Sequence, residues 1–151
     1  MKIRTLMGSG DRIALLALPF VLVGLRLNVL HPSLFSVGGP SLGLKAVAVS
    51  MLGFGVVVWL WSAILILTRV PRHALITNGP FAVVKHPLYT GVGLLVVPFL
   101  GLLLDSYLGI LIGLVIYAGS RIFSPIEEKA LSREFGRAWD DYCKKVALPW
   151  L

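Results

Sequence analysis

Residues 44–67 read LKAVAVSMLGFGVVVWLWSAILIL, a run of 24 residues in which Lys45 is the one charged side chain. A helix needs about 20 mainly apolar residues to cross the hydrocarbon core of a bilayer. The run is therefore long enough and apolar enough to span a membrane. Backbone groups in lipid must be satisfied within their own segment, so we expect the run to be helical.

Three further apolar stretches resemble the first in composition, and the one at 88–104 is short. They cover about residues 12–30, 88–104 and 107–123. Little more than Asp105-Ser106 separates the last two, which predicts a tight antiparallel hairpin. The sequence therefore predicts an all-α integral membrane protein with about four transmembrane helices, folded as one domain over residues 1–151.

The composition agrees with this interpretation. Of the 151 residues, 57% are hydrophobic and 14% are charged, whereas soluble proteins carry about 25% charged residues. The formal charge is +7, but the basic residues form no face with interleaved aromatic side chains, so we expect membrane lipids and not nucleic acid as partners. Cys143 is the one cysteine, which excludes an internal disulfide and a cysteine-based zinc site.

The positions of the basic residues predict an orientation. They cluster before the first span, between the second and third spans, and after the fourth span. Cytoplasmic loops are enriched in lysine and arginine, so both termini and the 69–85 segment are expected in the cytoplasm. The apolar run 13–25 follows Lys2 and Arg4 but lacks a cleavage signal, so we expect it to be a retained span and not a signal peptide.

The tail, residues 127–146, is predicted to form an amphipathic helix. Its apolar side chains recur at helical spacing, and its opposite face is charged. Two placements remain open from sequence: the helix lies on the membrane surface, or it packs over the loop that precedes the third span.

Polar chemistry is concentrated between the second and third spans. Residues 69–91 read RVPRHALITNGPFAVVKHPLYTG, with a turn signal at residues 77–80. Directly after the fourth span comes Ser124-Pro125-Ile126-Glu127-Glu128. The predicted topology brings both segments to the same side of the membrane. An apolar pocket with a few convergent polar groups is the default hypothesis for a ligand site.

The motifs in these segments resemble the isoprenylcysteine carboxyl methyltransferase family, and related phospholipid methyltransferases share much of the pattern. The resemblance covers about residues 69–148. It rests on Gly79-Pro80-Phe81, on Lys85-His86-Pro87-Leu88-Tyr89-Thr90-Gly91, on Glu127-Glu128, and on Phe135-Gly136 through Tyr142.

The resemblance implies an S-adenosylmethionine site on the cytoplasmic side that opens laterally to lipid, with S-adenosylhomocysteine as the product. The implied cofactor-binding residues are His73, Ala74, Leu75, Ile76, Phe81, His86, Pro87, Leu88, Tyr89 and Glu127. Arg121, His86 and Tyr89 are the candidate catalytic residues. Family members that methylate a prenylcysteine tend to carry an arginine one helical turn before the glutamate, where this chain has Phe123, with Arg121 two residues earlier.

Several alternatives remain open from sequence. The acceptor is a lipophilic small molecule or a lipidated substrate, and a prenylcysteine carboxylate and a phospholipid amine are both compatible with the motifs. A sterol-type reductase and a non-enzymatic four-helix membrane protein are the other function classes. For Glu127 there is also a purely structural hypothesis, in which Ser124 caps a new helix and Glu127 reaches back to the Ser124 N–H.

Overall fold

A computed structural model of the chain describes residues 9–149 and 151, and the described part is built from helices. We number the α-helices α1 (Gly10–Leu30), α2 (Leu42–Arg69), α3 (Pro80–Val83), α4 (Pro87–Leu103), α5 (Leu108–Phe135) and α6 (Arg137–Lys145). Short 3-10 turns follow α1 and α2, and the middle of α4, Val92–Val96, is wound as a π-helix. Within the described residues, β pairing is limited to one parallel bridge between Val84 and Leu148.

Three helices, α1, α2 and α5, are long and apolar enough to cross a membrane. Their outer surfaces carry large apolar side chains, and Leu15, Val29 and Leu67 expose 72%, 78% and 67% of their surface. So much apolar area is unfavourable in water but is solvated by lipid tails. The structure thus confirms an all-α membrane protein. The third predicted span, residues 88–104, corresponds to α4, whose length is at the lower limit for crossing the hydrocarbon core.

Helices α4 and α5 form the predicted hairpin and approach closely through glycines. A Cβ atom placed on Gly101 would lie 2.6 Å from the Cα of Gly109, so no larger residue fits there without a shift. Gly113 faces the backbone of Gly93 in the same way. Gly109 and Gly113 lie one turn apart on α5, and small residues at this spacing let two helices in lipid pack backbone to backbone.

The end of the chain corrects one prediction. Instead of one helix over residues 127–146, α5 continues from the fourth span through Pro125 to Phe135, and α6 is a separate helix. The break lies at Gly136, whose φ of +52° is a conformation that glycine adopts without steric penalty.

The tail packs on protein, as one of the two predicted placements requires. Trp139, Tyr142 and Val146 are buried together against partly buried apolar side chains, among them Leu75 and Leu131. The Tyr142 hydroxyl donates a hydrogen bond of 2.8 Å to the Phe81 carbonyl oxygen. Two backbone bonds, from the N–H groups of residues 147 and 148, join the tail to the carbonyls of residues 82 and 83. Residues 74–84 are thereby fixed between α2 and the tail.

The topology leads to a labelling prediction. Thr77 lies in the loop after α2, Ser33 lies in the loop after α1, and both are exposed. In a Cys143→Ser background, cysteines at positions 77 and 33 should react with a membrane-impermeant maleimide from opposite faces of sealed vesicles. Position 77 is expected on the cytoplasmic face. Labelling of both cysteines from one face would contradict the predicted orientation.

Candidate functional site

Two backbone reversals shape the segment between α2 and α4. After the 3-10 turn Val70–Arg72, His73 adopts a φ of +52°, and residues 74–77 follow without regular secondary structure. Gly79, with a φ of +62°, makes the predicted turn, and a Cβ there would lie 3.0 Å from the Trp61 ring of α2. The segment therefore folds back against the end of α2 and does not extend into solvent.

A cavity of about 900 Å³ lies beneath this segment. Its size is in the upper part of the range of small-molecule sites, roughly 300–1,000 Å³. Walls come from the start of α1, the end of α2, residues 73–89, the middle of α5, and α6. The lining residues include Ala63, Ile66, Leu67, Leu75, Ile76, Phe81, Ile126, Ala130, Leu131, Phe135, Trp139 and Tyr142.

Glu127 is the centre of the polar contacts in the cavity. Its Oε1 accepts a hydrogen bond of 3.0 Å from the Tyr89 hydroxyl and another from the backbone N–H of Ser9. Its Oε2 lies 3.5 Å from Nδ1 of His86. Two segments that are far apart in sequence, the start of α1 and residues 86–89, therefore converge on one carboxylate of α5, which lies at the wall of an otherwise largely apolar cavity.

A second carboxylate, Glu128, holds the other side of His86. Its Oε1 accepts a hydrogen bond of 2.7 Å from Nζ of Lys85 and lies 3.2 Å from Nε2 of His86. His86, whose side chain is 10% exposed, thus lies between two carboxylates. A neutral imidazole has one N–H and one nitrogen lone pair, and here the lone pair would be directed at a carboxylate oxygen. The imidazolium donates from both nitrogens, so it suits a position between two carboxylates.

These contacts determine the charge of His86. Burial lowers its pKa, because it disfavours the charged ring, but hydrogen bonds to Glu127 and Glu128 and their negative charges raise it by more. The net pKa is above the ordinary 6.5. The folded structure therefore favours the imidazolium form of His86 more than the unfolded chain does.

The ten predicted cofactor-binding residues, His73, Ala74, Leu75, Ile76, Phe81, His86, Pro87, Leu88, Tyr89 and Glu127, all line this cavity. Arg121 does not. Its side chain is exposed, and it lies six residues before Glu127, which places it about 120° away around α5. The geometry gives no support to Arg121 as a catalytic residue.

The structural hypothesis for Glu127 is wrong. Helix α5 runs through residues 124–127 without interruption, so there is no helix start for Ser124 to cap. The Ser124 hydroxyl is buried without a hydrogen-bond partner among the described residues, and the Glu127 carboxylate points away to Ser9, His86 and Tyr89.

Other lining residues were not predicted. Ser9, Gly10, Asp11 and Arg12 form one wall from the start of α1, and no motif in that region indicates a site. Lys85 and Glu128 belong to the motifs that carry the resemblance but were not among the predicted site residues, and the structure places both in the polar cluster around His86. Trp139 and Tyr142 were part of the C-terminal motif, which gave no sign that both side chains reach the cavity.

Comparison with protein families relates the chain to a family of membrane enzymes. The model described as the isoprenylcysteine carboxyl methyltransferase family matches residues 43–133, which include α2, α3, α4 and most of α5. A search of curated proteins found no match. A search of solved structures also found none.

The His86 cluster predicts how stability depends on pH. A group whose pKa is raised on folding stabilises the folded state fully below its unfolded value, and that contribution is lost as pH rises through the folded value. The melting temperature in detergent should therefore fall as pH rises from below 6.5 through the raised pKa of His86. The corresponding loss in the free energy of unfolding is about 1.4 kcal/mol for each unit by which folding raises this pKa.

The matched variants are Glu128→Gln and His86→Asn. Glu128→Gln should make the fall in melting temperature with pH smaller, because it removes one of the two charges that raise the pKa of His86. His86→Asn should abolish the part of the pH dependence that is due to His86, since this variant has no imidazole to titrate. An identical pH dependence in the parent and in His86→Asn would contradict the proposed charge state.

Proposed function

The chain belongs to the isoprenylcysteine carboxyl methyltransferase family, and from this we propose that it transfers a methyl group from S-adenosylmethionine to the carboxylate of a lipophilic acceptor. The observation that carries the proposal is the Glu127 carboxylate, held by three donors in the wall of a largely apolar cavity next to the membrane-spanning helices.

The residues present fit this cofactor. S-adenosylmethionine combines an ammonium, a carboxylate and a sulfonium with a planar base, and when bound it supplies an electrophilic methyl group. Glu127 offers an anion for the ammonium. Phe81 with Leu75 and Ile76 offers an apolar surface for the planar base of the cofactor. The backbone N–H groups of residues 75 and 76 donate to no described residue, so they remain available to donate to the cofactor. Arg12 adds a cation at the wall for a carboxylate.

Orientation and exclusion of water account for most of the expected catalysis. A methyl group is transferred by in-line displacement, so a site that holds donor and acceptor in near-attack geometry removes much of the entropic barrier. In this chain the partly buried hydrogen bonds and ion pairs of Glu127 and Glu128 hold His86, Tyr89 and Lys85 at the polar end of the cavity. The apolar lining from α2 and α5 keeps the other end dry.

The acceptor is proposed to approach from the bilayer. Leu67 of α2 and Ile126 of α5 line the cavity and at the same time expose 67% and 49% of their surface. An apolar rim of this kind is solvated by lipid. A lipid chain can follow it into the cavity without passing through water.

The state of His86 favours a carboxylate acceptor over an amine. An ionised carboxylate attacks without losing a proton, whereas an ammonium must first be deprotonated. Both ring nitrogens of His86 are directed to carboxylates, and the Tyr89 hydroxyl donates to Glu127. Neither group is free to accept a proton, so we assign both to holding Glu127 and the cofactor.

Transfer of a labelled methyl group tests the proposal. The purified protein in lipid nanodiscs is incubated with methyl-labelled S-adenosylmethionine and either an N-acetylated S-farnesylcysteine or phosphatidylethanolamine. We expect label in the farnesylcysteine, released as volatile methanol by base, because methyl esters are hydrolysed and N-methyl groups are not. Base-stable label in the phospholipid would instead indicate amine methylation. No label in either acceptor would contradict the proposed function.

A further inference from the structure

Ser9, at the start of α1, is buried, with 3% of its surface exposed. All of its polar groups are used. Its carbonyl oxygen accepts the first helical bonds, from the N–H groups of Arg12 and Ile13, at 3.1 and 3.0 Å. Its hydroxyl donates to the Phe123 carbonyl oxygen at 3.1 Å, and its backbone N–H donates to Oε1 of Glu127.

These contacts join the first turn of α1 to one short stretch of α5. Phe123 and Glu127 are one helical turn apart, so Ser9 spans the turn of α5 that presents the carboxylate to the cavity. Gly10 lies against the same group of residues, since a Cβ there would be 3.7 Å from the Tyr89 hydroxyl oxygen. Asp11 and Arg12 continue the wall of the cavity.

Packing along the rest of α1 fixes where Ser9 lies. Ile13 and Ala17, one and two turns later, are buried, with 4% and 6% of their surface exposed. Gly119 of α5 contacts this part of α1, because a Cβ there would lie 3.1 Å from Leu16 and 3.5 Å from Ile13. The position of the Ser9 N–H is therefore set by a helix-helix contact and not by a free terminal segment.

We propose that residues 9–12 are a wall of the cofactor site and that Ser9 is a positioning residue for Glu127. This inference rests on the proposed function, and it extends the site to a part of the chain that precedes the family match at residues 43–133.

The physical role of Ser9 follows from the contacts of the carboxylate. Tyr89 and Ser9 hold Oε1, and His86 holds Oε2, so the carboxylate cannot rotate. Each carboxylate oxygen has further acceptor capacity, and the part that faces the cavity stays free for an ammonium group. By linkage, a cofactor that binds the oriented carboxylate also stabilises the docked position of α1.

A pair of substitutions separates the backbone N–H of Ser9 from its side chain. Ser9→Pro removes the N–H, and it requires a shift of the native φ of −89° toward the value of about −65° that proline prefers. Ser9→Ala keeps the N–H and removes the hydroxyl. In calorimetric titrations with S-adenosylhomocysteine we expect Ser9→Pro to bind about tenfold more weakly than the parent, which corresponds to about 1.4 kcal/mol. Ser9→Ala should bind within about threefold of the parent.

A double-mutant cycle tests whether Ser9 acts through Glu127. If it does, Ser9→Pro should change the affinity little in a Glu127→Ala background, because no carboxylate is left to position. Full additivity of the two effects would overturn the positioning role. If the parent binds S-adenosylhomocysteine and Ser9→Pro binds it equally well, the inference fails while the proposed function stands. If the parent itself does not bind, both fail.

A protection experiment covers the case in which Ser9→Pro does not fold. In a Cys143→Ser background, a cysteine replaces Asp11, which is exposed on the cavity wall, and its alkylation rate is measured with and without S-adenosylhomocysteine. Bound product should slow the reaction at position 11 at least threefold. It should leave a control cysteine at the exposed Lys45, near the start of α2, unchanged. Equal rates at position 11 with and without the compound would overturn the proposal.

Discussion

The site depends on the convergence of donors upon the Glu127 carboxylate. Tyr89 at the start of α4, His86 just before it and Ser9 at the start of α1 all direct hydrogen-bonding groups to this side chain from α5. A partly buried carboxylate without such partners would be costly, so the contacts explain how a charge is kept beside an apolar cavity. They also bring together three segments that the sequence separates by up to 118 positions.

The remainder of the fold keeps these segments in place. Glycine contacts bring α5 close to α4, and a further glycine contact joins α5 to α1, so the helix that carries Glu127 is held on two sides. The C-terminal tail covers the 74–84 segment from outside through the Tyr142 bond and two backbone bonds. Rigid support of this kind is what methyl transfer requires, because its acceleration comes mainly from the orientation of the two reactants.

Sequence reasoning reached the elements that have a strong local signal. The apolar runs gave the helices, the Thr77–Pro80 pattern gave the turn, and the HPLY and Glu127 motifs gave residues that the fold brings to one cavity. The role of Arg121 depended on which face of α5 it occupies, and this was not evident until the position of Glu127 on that helix was known. Pro125 followed by acidic residues imitates a helix start, yet helix packing carries α5 through it.

Long-range contacts escaped prediction for a different reason. Ser9 acts through its backbone N–H, a group that every residue except proline carries, so no residue type could indicate it. Glu128 and Lys85 resemble ordinary surface residues until the fold places both beside His86. Such contacts depend on how α1, α4 and α5 pack together, which the one-dimensional pattern of apolar residues does not contain.

The most direct test of the account is the affinity for S-adenosylhomocysteine of Glu127→Gln, compared with the matched variant Glu134→Gln. Glu134 lines the same cavity from the same helix, but its side chain is 43% exposed and its carboxylate pairs only with His73 among the described residues. The account predicts a loss of about 1.5–3 kcal/mol in binding for Glu127→Gln, more than tenfold in affinity. Glu134→Gln should bind like the parent. Parent-like affinity in Glu127→Gln would contradict the claim that this carboxylate binds the cofactor.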